Sequence, residues 1–138
     1  MYRDVLVPTD GSDAAYQAVE HGIAIADGLD ANVHALSVIP GSGTSKRDQL
    51  RANPEKDAET AVKEVLEVAD QEGVDATGTV RSGVAQEEIL AYAREHDVDM
   101  IVMGTHGRTG LDHVLMGSVA EEVVKKSSIP VVTVPPSE

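Results

Sequence analysis

The chain has no cysteine, no phenylalanine and no tryptophan, and only three tyrosines among its 138 residues. Without cysteine there are no disulfides, no thiolate metal ligands and no cysteine nucleophile. Without Phe or Trp the core must be built from Val, Ile, Leu, Ala and Met. Positive charge is scarce too: 11 Lys+Arg stand against 24 Asp+Glu, a formal net charge of −13. That balance opposes general nucleic-acid binding, which wants a basic stripe, and binding at an anionic membrane surface. No stretch nears the roughly 18 apolar residues of a membrane span. The opening, MYRDVLVPTD, lacks the basic region and apolar run of a signal peptide. The expectation is a cytoplasmic protein.

The acidic residues are scattered rather than run together, which sets them apart from an acidic tail. Two readings stay open. One is adaptation to high salt, where self-repulsion is screened. The other is an ordinary acidic, soluble protein. Hydrophobic residues make up 41% of the chain, enough for a real core in one domain spanning residues 1–138.

The elements alternate. DVLVPTD (4–10) reads as a buried strand by its length and Val content. Residues 12–30 carry Ala14, Ala18, Val19, Ile23 and Ala26 near helical spacing, with Ser12 or Asp13 as cap and Gly28 as terminator. NVHALSVIP (32–40) is the second strand, and 41–52 reads as a mobile loop. Asn53-Pro54 has the form of an N-cap followed by proline at the first helical position. Ala58, Ala61, Val62, Val65, Leu66 and Ala69 form a stripe that ends at Gly73. A weaker strand covers 75–83, and a short helix 85–96 turns Ile89, Leu90 and Ala93 inward. Residues 99–104 are a strongly apolar strand, 118–128 a helix and 129–134 the last strand.

This β-α-β-α-β-α-β-α-β order predicts an α/β fold, a doubly wound parallel sheet with four helices on its two faces and right-handed crossovers. Ligands in such folds sit beyond the carboxyl ends of the strands, where strand order reverses. In a 3-2-1-4-5 order the first and fourth strands meet at that point. Asp10 follows the first, and a glycine-rich loop follows the fourth.

That loop, MGTHGRTGLDHVLMGS (103–118), has the pattern G-x-x-G, nine residues, then G-S, set by Gly104, Gly107, Gly117 and Ser118. Strand-to-helix connections usually take about 2–6 residues, and this one takes roughly twice that. Glycines let successive N–H groups converge on an anion. Ser118 opens a helix whose free N–H groups and dipole also favour negative charge. Arg108 and His106 add cationic donors. Together these suit a phosphate. The competing reading makes Ser118 and Glu121 a capping box that needs no ligand. The pattern is neither G-x-x-x-x-G-K-[ST] nor a G-x-G-x-x-G after the first strand, so neither a P-loop enzyme nor a dinucleotide dehydrogenase is favoured. Asp10 reads either as a cap for the next helix or as an acceptor for a ribose or base. Val38 reads as core, or as a flank for a flat base.

At these residues the chain resembles the universal stress protein family. The likeness runs nearly the full length, through VLVPTDGS (5–12), DMIVMGTHGRTGL (99–111), LMGSVAEEVVKKSSIPVVTV (115–134) and, more weakly, SGVAQEEIL (82–90). The complete G-x-x-G-x9-G-[ST] pattern marks the branch that binds ATP. The resemblance implies a five-stranded parallel sheet of order 3-2-1-4-5, a Rossmann-like fold and a homodimer. It implies that Pro8, Thr9, Asp10 and Val38 hold the adenosine half and that Met103 and Gly104 line the ribose. Gly107, Arg108, Gly117, Ser118 and Val119 would meet the phosphates, with Mg2+ or Mn2+ riding on them. Family members often have proline where this chain has Val84-Ala85, a departure that touches no expected ligand contact.

The last strand, Pro130 to Val134, is expected at a sheet edge. Pairing with its twin across a two-fold axis would cover it. The alternative is a monomer whose edge is guarded by Pro130, Pro135 and Pro136. Hydrolysis of ATP needs an oriented water and stabilised charge on the γ-phosphoryl, yet no carboxylate is clearly placed as a base. Asp112 and His113 are candidates only. His21, His34 and His96 have no spacing that suggests a metal site. Three functions therefore compete: an adenine-nucleotide-binding regulatory module with slow or no turnover, a slow ATPase or autophosphorylating enzyme, and a nucleotide-free dimeric interaction protein.

Overall fold

A computed structural model describes residues 2–41, 53–106 and 117–136. Strand β1 (Asp4–Pro8) sits at the centre of the sheet, and Val5, Leu6 and Val7 are wholly buried. It feeds helix α1 (Asp13–Leu29), strand β2 (Asn32–Pro40), helix α2 (Pro54–Gln71) and strand β3 (Ala76–Gly83). Helix α3 (Ala85–Glu95), strand β4 (Met100–Gly104), helix α4 (Ser118–Lys126) and strand β5 (Val131–Val134) follow. All pairings are parallel, as the alternation predicts, and the order is β3-β2-β1-β4-β5, as the family resemblance implies. Of the loop expected at 41–52, residues 42–52 lie outside the described residues.

The sheet is apolar on both faces, which is why its inner strands show no polar alternation. Val5, Val7, Val33, Ala35 and Val102 join Val19, Ile23, Val62 and Val65 in a cluster beneath α1 and α2. Leu6, Leu36, Ile101 and Met103 join Ile89, Tyr92, Ala120 and Val123 beneath α3 and α4. Period-2 alternation therefore sorts aliphatic from aliphatic.

The ends of the elements mix agreement and correction. Asn53 caps α2 by accepting from the Lys56 amide at 3.1 Å, with Pro54 in the first turn. Ser12 caps α1 by accepting from the Ala15 amide at 3.2 Å. Ala15, rather than the expected Ala14, is the buried residue of that turn. Helix α1 does not stop at Gly28. It runs to Leu29, and Asp30 closes it at φ 55°, a left-handed conformation that Asp tolerates. Helix α4 ends at Lys126, short of the expected 128. There the Ser127 hydroxyl donates to the Ile129 carbonyl at 2.8 Å and accepts from the Ile129 amide at 3.1 Å, making a turn. Strand β5 accordingly starts at Val131, not 129.

Candidate functional site

Reversal of strand order between β1 and β4 opens a crevice at their carboxyl ends, where a cavity of about 320 Å³ lies. That volume is at the lower end of the range for small-molecule sites. Chain leaving β1 supplies Pro8, Thr9 and Asp10 to its lining; Leu36, Val38 and Pro40 come from β2. Met103, Gly104, Thr105 and His106 come from the end of β4, and Gly117, Ser118, Val119 and Ala120 from the start of α4. Ala15 of α1 and Ala85 and Ile89 of α3 complete the described wall.

Short hydrogen bonds fix the turn after β1. The Thr9 amide donates to the Leu36 carbonyl at 2.8 Å, continuing the sheet one residue past the strand. The Thr9 hydroxyl accepts from the Gly11 amide at 3.1 Å. Asp10 Oδ1 accepts from the Ser12 amide at 2.9 Å, an Asx turn. Asp10 is thus not the helix cap, a role Ser12 takes; it shapes the turn that delivers Ser12.

Two glycines hold the other side by lacking a side chain. A Cβ on Gly104 would stand 3.2 Å from the Ala14 carbonyl oxygen and 3.3 Å from that of His106. A Cβ on Gly117 would stand 3.2 Å from the Thr105 carbonyl oxygen, to which the Gly117 amide donates at 2.6 Å. These contacts are with backbone, which cannot swing away. His106 is buried, and its Nδ1 lies 2.8 Å from the Thr105 hydroxyl oxygen.

The capping-box reading of Ser118 is corrected. Gly117 is the N-cap of α4, no side chain among the described residues caps the helix, and Ser118 is its exposed first residue. Among the described residues the Ser118 and Val119 amides of the first turn have no helix-internal acceptor, as expected at a helix start. Chemically, the cavity has an apolar wall of Leu36, Val38, Pro40, Ala85 and Ile89 at one side. At the other it has the amide end of a helix, whose dipole favours an anion.

Of the residues singled out in the sequence, Pro8, Thr9, Asp10, Val38, Met103, Gly104, His106, Gly117, Ser118 and Val119 all line this one cavity. Gly107, Arg108, Asp112 and His113 lie outside the described residues. Ala85 also lines the cavity, so the Val84-Ala85 departure stands at its wall. Leu36 and Pro40 were missed, although they flank Val38 at the two-residue spacing that puts all three on one face of β2. Ile89 was read as core only; it serves both core and wall.

An open, doubly wound α/β sheet with a crevice at its switch point, half apolar and half lined by helix-start amides, defines a class of small-molecule-binding folds. Comparison with known proteins narrows the class. The family model described as "Universal stress protein family" matches residues 1–135, and the chain belongs to that family. Universal stress protein MJ0531 of Methanocaldococcus jannaschii is 37% identical over 140 residues, covering 97% of this chain and 82% of that protein. The solved structure of MJ0577, published as a structure-based assignment of biochemical function, superposes with a TM-score of 0.85 at 31% identity, covering 100% of this chain and 99% of that one. A universal stress protein solved in complex with cAMP superposes with a TM-score of 0.77 at 26% identity, covering 99% of each chain.

Proposed function

We propose that the chain binds an adenine nucleotide, ATP in the first instance, and acts as a dimeric regulatory or stress-response module with slow or no turnover. One observation carries the reading: a single cavity joins an apolar wall to a helix start that no described side chain caps and to two glycines pressed against backbone. A nucleotide has that same division, an aromatic base at one end and a polyanion at the other. The relative solved with cAMP supports the class of ligand.

In this reading the base lies between Val38 and Ile89, and Pro8, Thr9 and Asp10 meet the adenosine half. Met103 and Gly104 line the ribose. The amides of Gly117, Ser118 and Val119 receive the phosphates, with Gly107, Arg108 and His106 adding donors. Mg2+ or Mn2+ would be carried on the phosphate oxygens. Among the described lining residues Asp10 is the one carboxylate, and its Oδ1 is held by the Ser12 amide; this favours binding over hydrolysis. Strand β5 lies at the sheet edge, where pairing with a second copy through 130–134 would complete the sheet. The acidity of the chain disfavours nucleic-acid or membrane partners, and we place the protein in the cytoplasm.

The test is native mass spectrometry of the protein as purified, with thermal shift in Mg-ATP. The expected result is a dimer carrying adenine nucleotide and a raised melting temperature. Absence of released nucleotide on denaturation, together with no thermal shift, overturns the reading.

A further inference from the structure

Helix α3 is anchored at the end farthest from the cavity. Tyr92 is buried to 2% exposure, and its hydroxyl lies 2.7 Å from His34 Nδ1 on β2. His34 Nε2 lies 2.9 Å from Asp4 Oδ1 at the start of β1. A carboxylate only accepts, so Nε2–H donates to Asp4; in the neutral ring Nδ1 then accepts from the Tyr92 hydroxyl. Asp4 is fixed in turn, because the Asp99 carboxylate accepts from the amides of Arg3 and Asp4 at 2.8 and 3.0 Å. The Tyr92 ring stacks on His96 at 3.9 Å between centroids.

At the cavity end of the same helix the ion pair among the described residues is Glu88 with Arg81, at 3.5 Å and part-exposed. Val84 is its N-cap and supplies no side-chain bond, yet Ala85 and Ile89 of the first turns form part of the cavity wall. Ile89 and Tyr92 are three residues apart and so share a face. The helix has 11 residues, about 16 Å at 1.5 Å per residue. Arg81 on β3 also grips α3 through Glu88 and Glu95, but the Glu95 side chain is 55% exposed, so this grip is weakened by solvent. The part-buried chain Asp4–His34–Tyr92 is a second hold, and it ends on a ring that is itself 2% exposed.

We propose that Tyr92 is a positioning residue for the base end of the cavity, acting through Ile89 and Ala85 and held in register by His34 and Asp4. This rests on the nucleotide reading given above. The hydroxyl contributes nothing to a phosphate contact, because α4 carries that end.

The experiment is calorimetric titration of the full chain with adenosine and with Mg-ATP, for the parent, Tyr92→Phe, His34→Phe and the double variant. Tyr92→Phe keeps the ring and its stacking; His34→Phe cuts the same chain from the other partner, should the first variant fold poorly. Each single variant is expected to weaken adenosine about threefold to tenfold, the worth of one hydrogen bond. ATP should weaken by the same factor, and the double variant should lose no more than either single one. Unchanged affinities, a larger loss for ATP than for adenosine, or additive losses overturn the inference and leave the nucleotide reading standing. A parent that binds ATP but not adenosine also overturns it alone. A parent that binds neither overturns both.

Discussion

The Gly117 amide donates to the Thr105 carbonyl oxygen at 2.6 Å, tying the start of α4 to the chain leaving β4. A Cβ on Gly117 would sit 3.2 Å from that same oxygen. Gly117→Val should therefore push the helix start away from β4 and spoil the amide end of the cavity. The φ of Gly117, −65°, is open to any residue, so the effect is crowding rather than backbone strain. The expected outcome is loss of the Mg-ATP thermal shift with the dimer retained, read by thermal shift and native mass spectrometry. A variant that still responds to Mg-ATP would separate the glycine from the ligand.

Ser12 caps α1 through the Ala15 amide at 3.2 Å, and Asp10 holds Ser12 in place. Ser12→Ala should cost about 1 kcal/mol of stability, measured by urea denaturation. No change in the midpoint would mean that the amides of that turn find other partners.

Acid should loosen the outer grip on α3. Hydrogen bonding to Arg81 holds the Glu95 carboxyl below its usual range, and the partnership raises the Arg81 guanidinium. A lowered folded-state value contributes stability that is present above the unfolded value and is lost as pH falls through the folded one. Glu95→Gln should thus melt below the parent at about pH 7, and the gap should narrow as pH falls below the ordinary carboxylate range. A gap that persists in acid would point to packing of the side chain rather than its charge. Melting curves across that range decide it.

Salt should stabilise the protein. Both long helices end without a basic residue in their last turn, while Asp27 and Asp30 stand at the end of α1 and Asp70 and Glu72 at the end of α2. Carboxylates at a helix C-terminus oppose its dipole, and the net charge of −13 adds self-repulsion. Melting temperature should climb as KCl is raised from low concentration to molar levels, where these terms are screened. A flat response would leave the acidity without a stabilising partner in salt and favour the ordinary acidic-protein reading.

The sheet was legible because β1 and β4 are aliphatic on both faces, which no amphipathic helix or half-exposed strand reproduces. The start of α2 was legible because Asn53-Pro54 encodes a cap and a first turn together. The end of α1 was not: Gly28 has the chemistry of a terminator, but Asp30 took the left-handed position and the helix ran on. The Ser118–Glu121 spacing fits a capping box, yet a box requires Ser118 to stand before the first turn, and Gly117 stands there instead. Leu36, Pro40, Ala85 and Ile89 are not legible as cavity wall for a simple reason. An apolar wall facing a cavity is made of the same residues as a packed core, and composition does not distinguish them. Tyr92 was missed because a tyrosine on a short helix is equally at home at the surface; only its meeting with His34 across 58 positions makes it inward.

The scarcity of aromatics makes Tyr92 a built-in reporter. The chain has no tryptophan and no phenylalanine, and Tyr2 and Tyr16 are 44% and 39% exposed against 2% for Tyr92. The tyrosine ring held most firmly for near-ultraviolet dichroism, which needs a fixed asymmetric setting, is therefore the one on the helix that walls the cavity. Comparison with Tyr92→Phe isolates its share of that signal in the unlabelled protein.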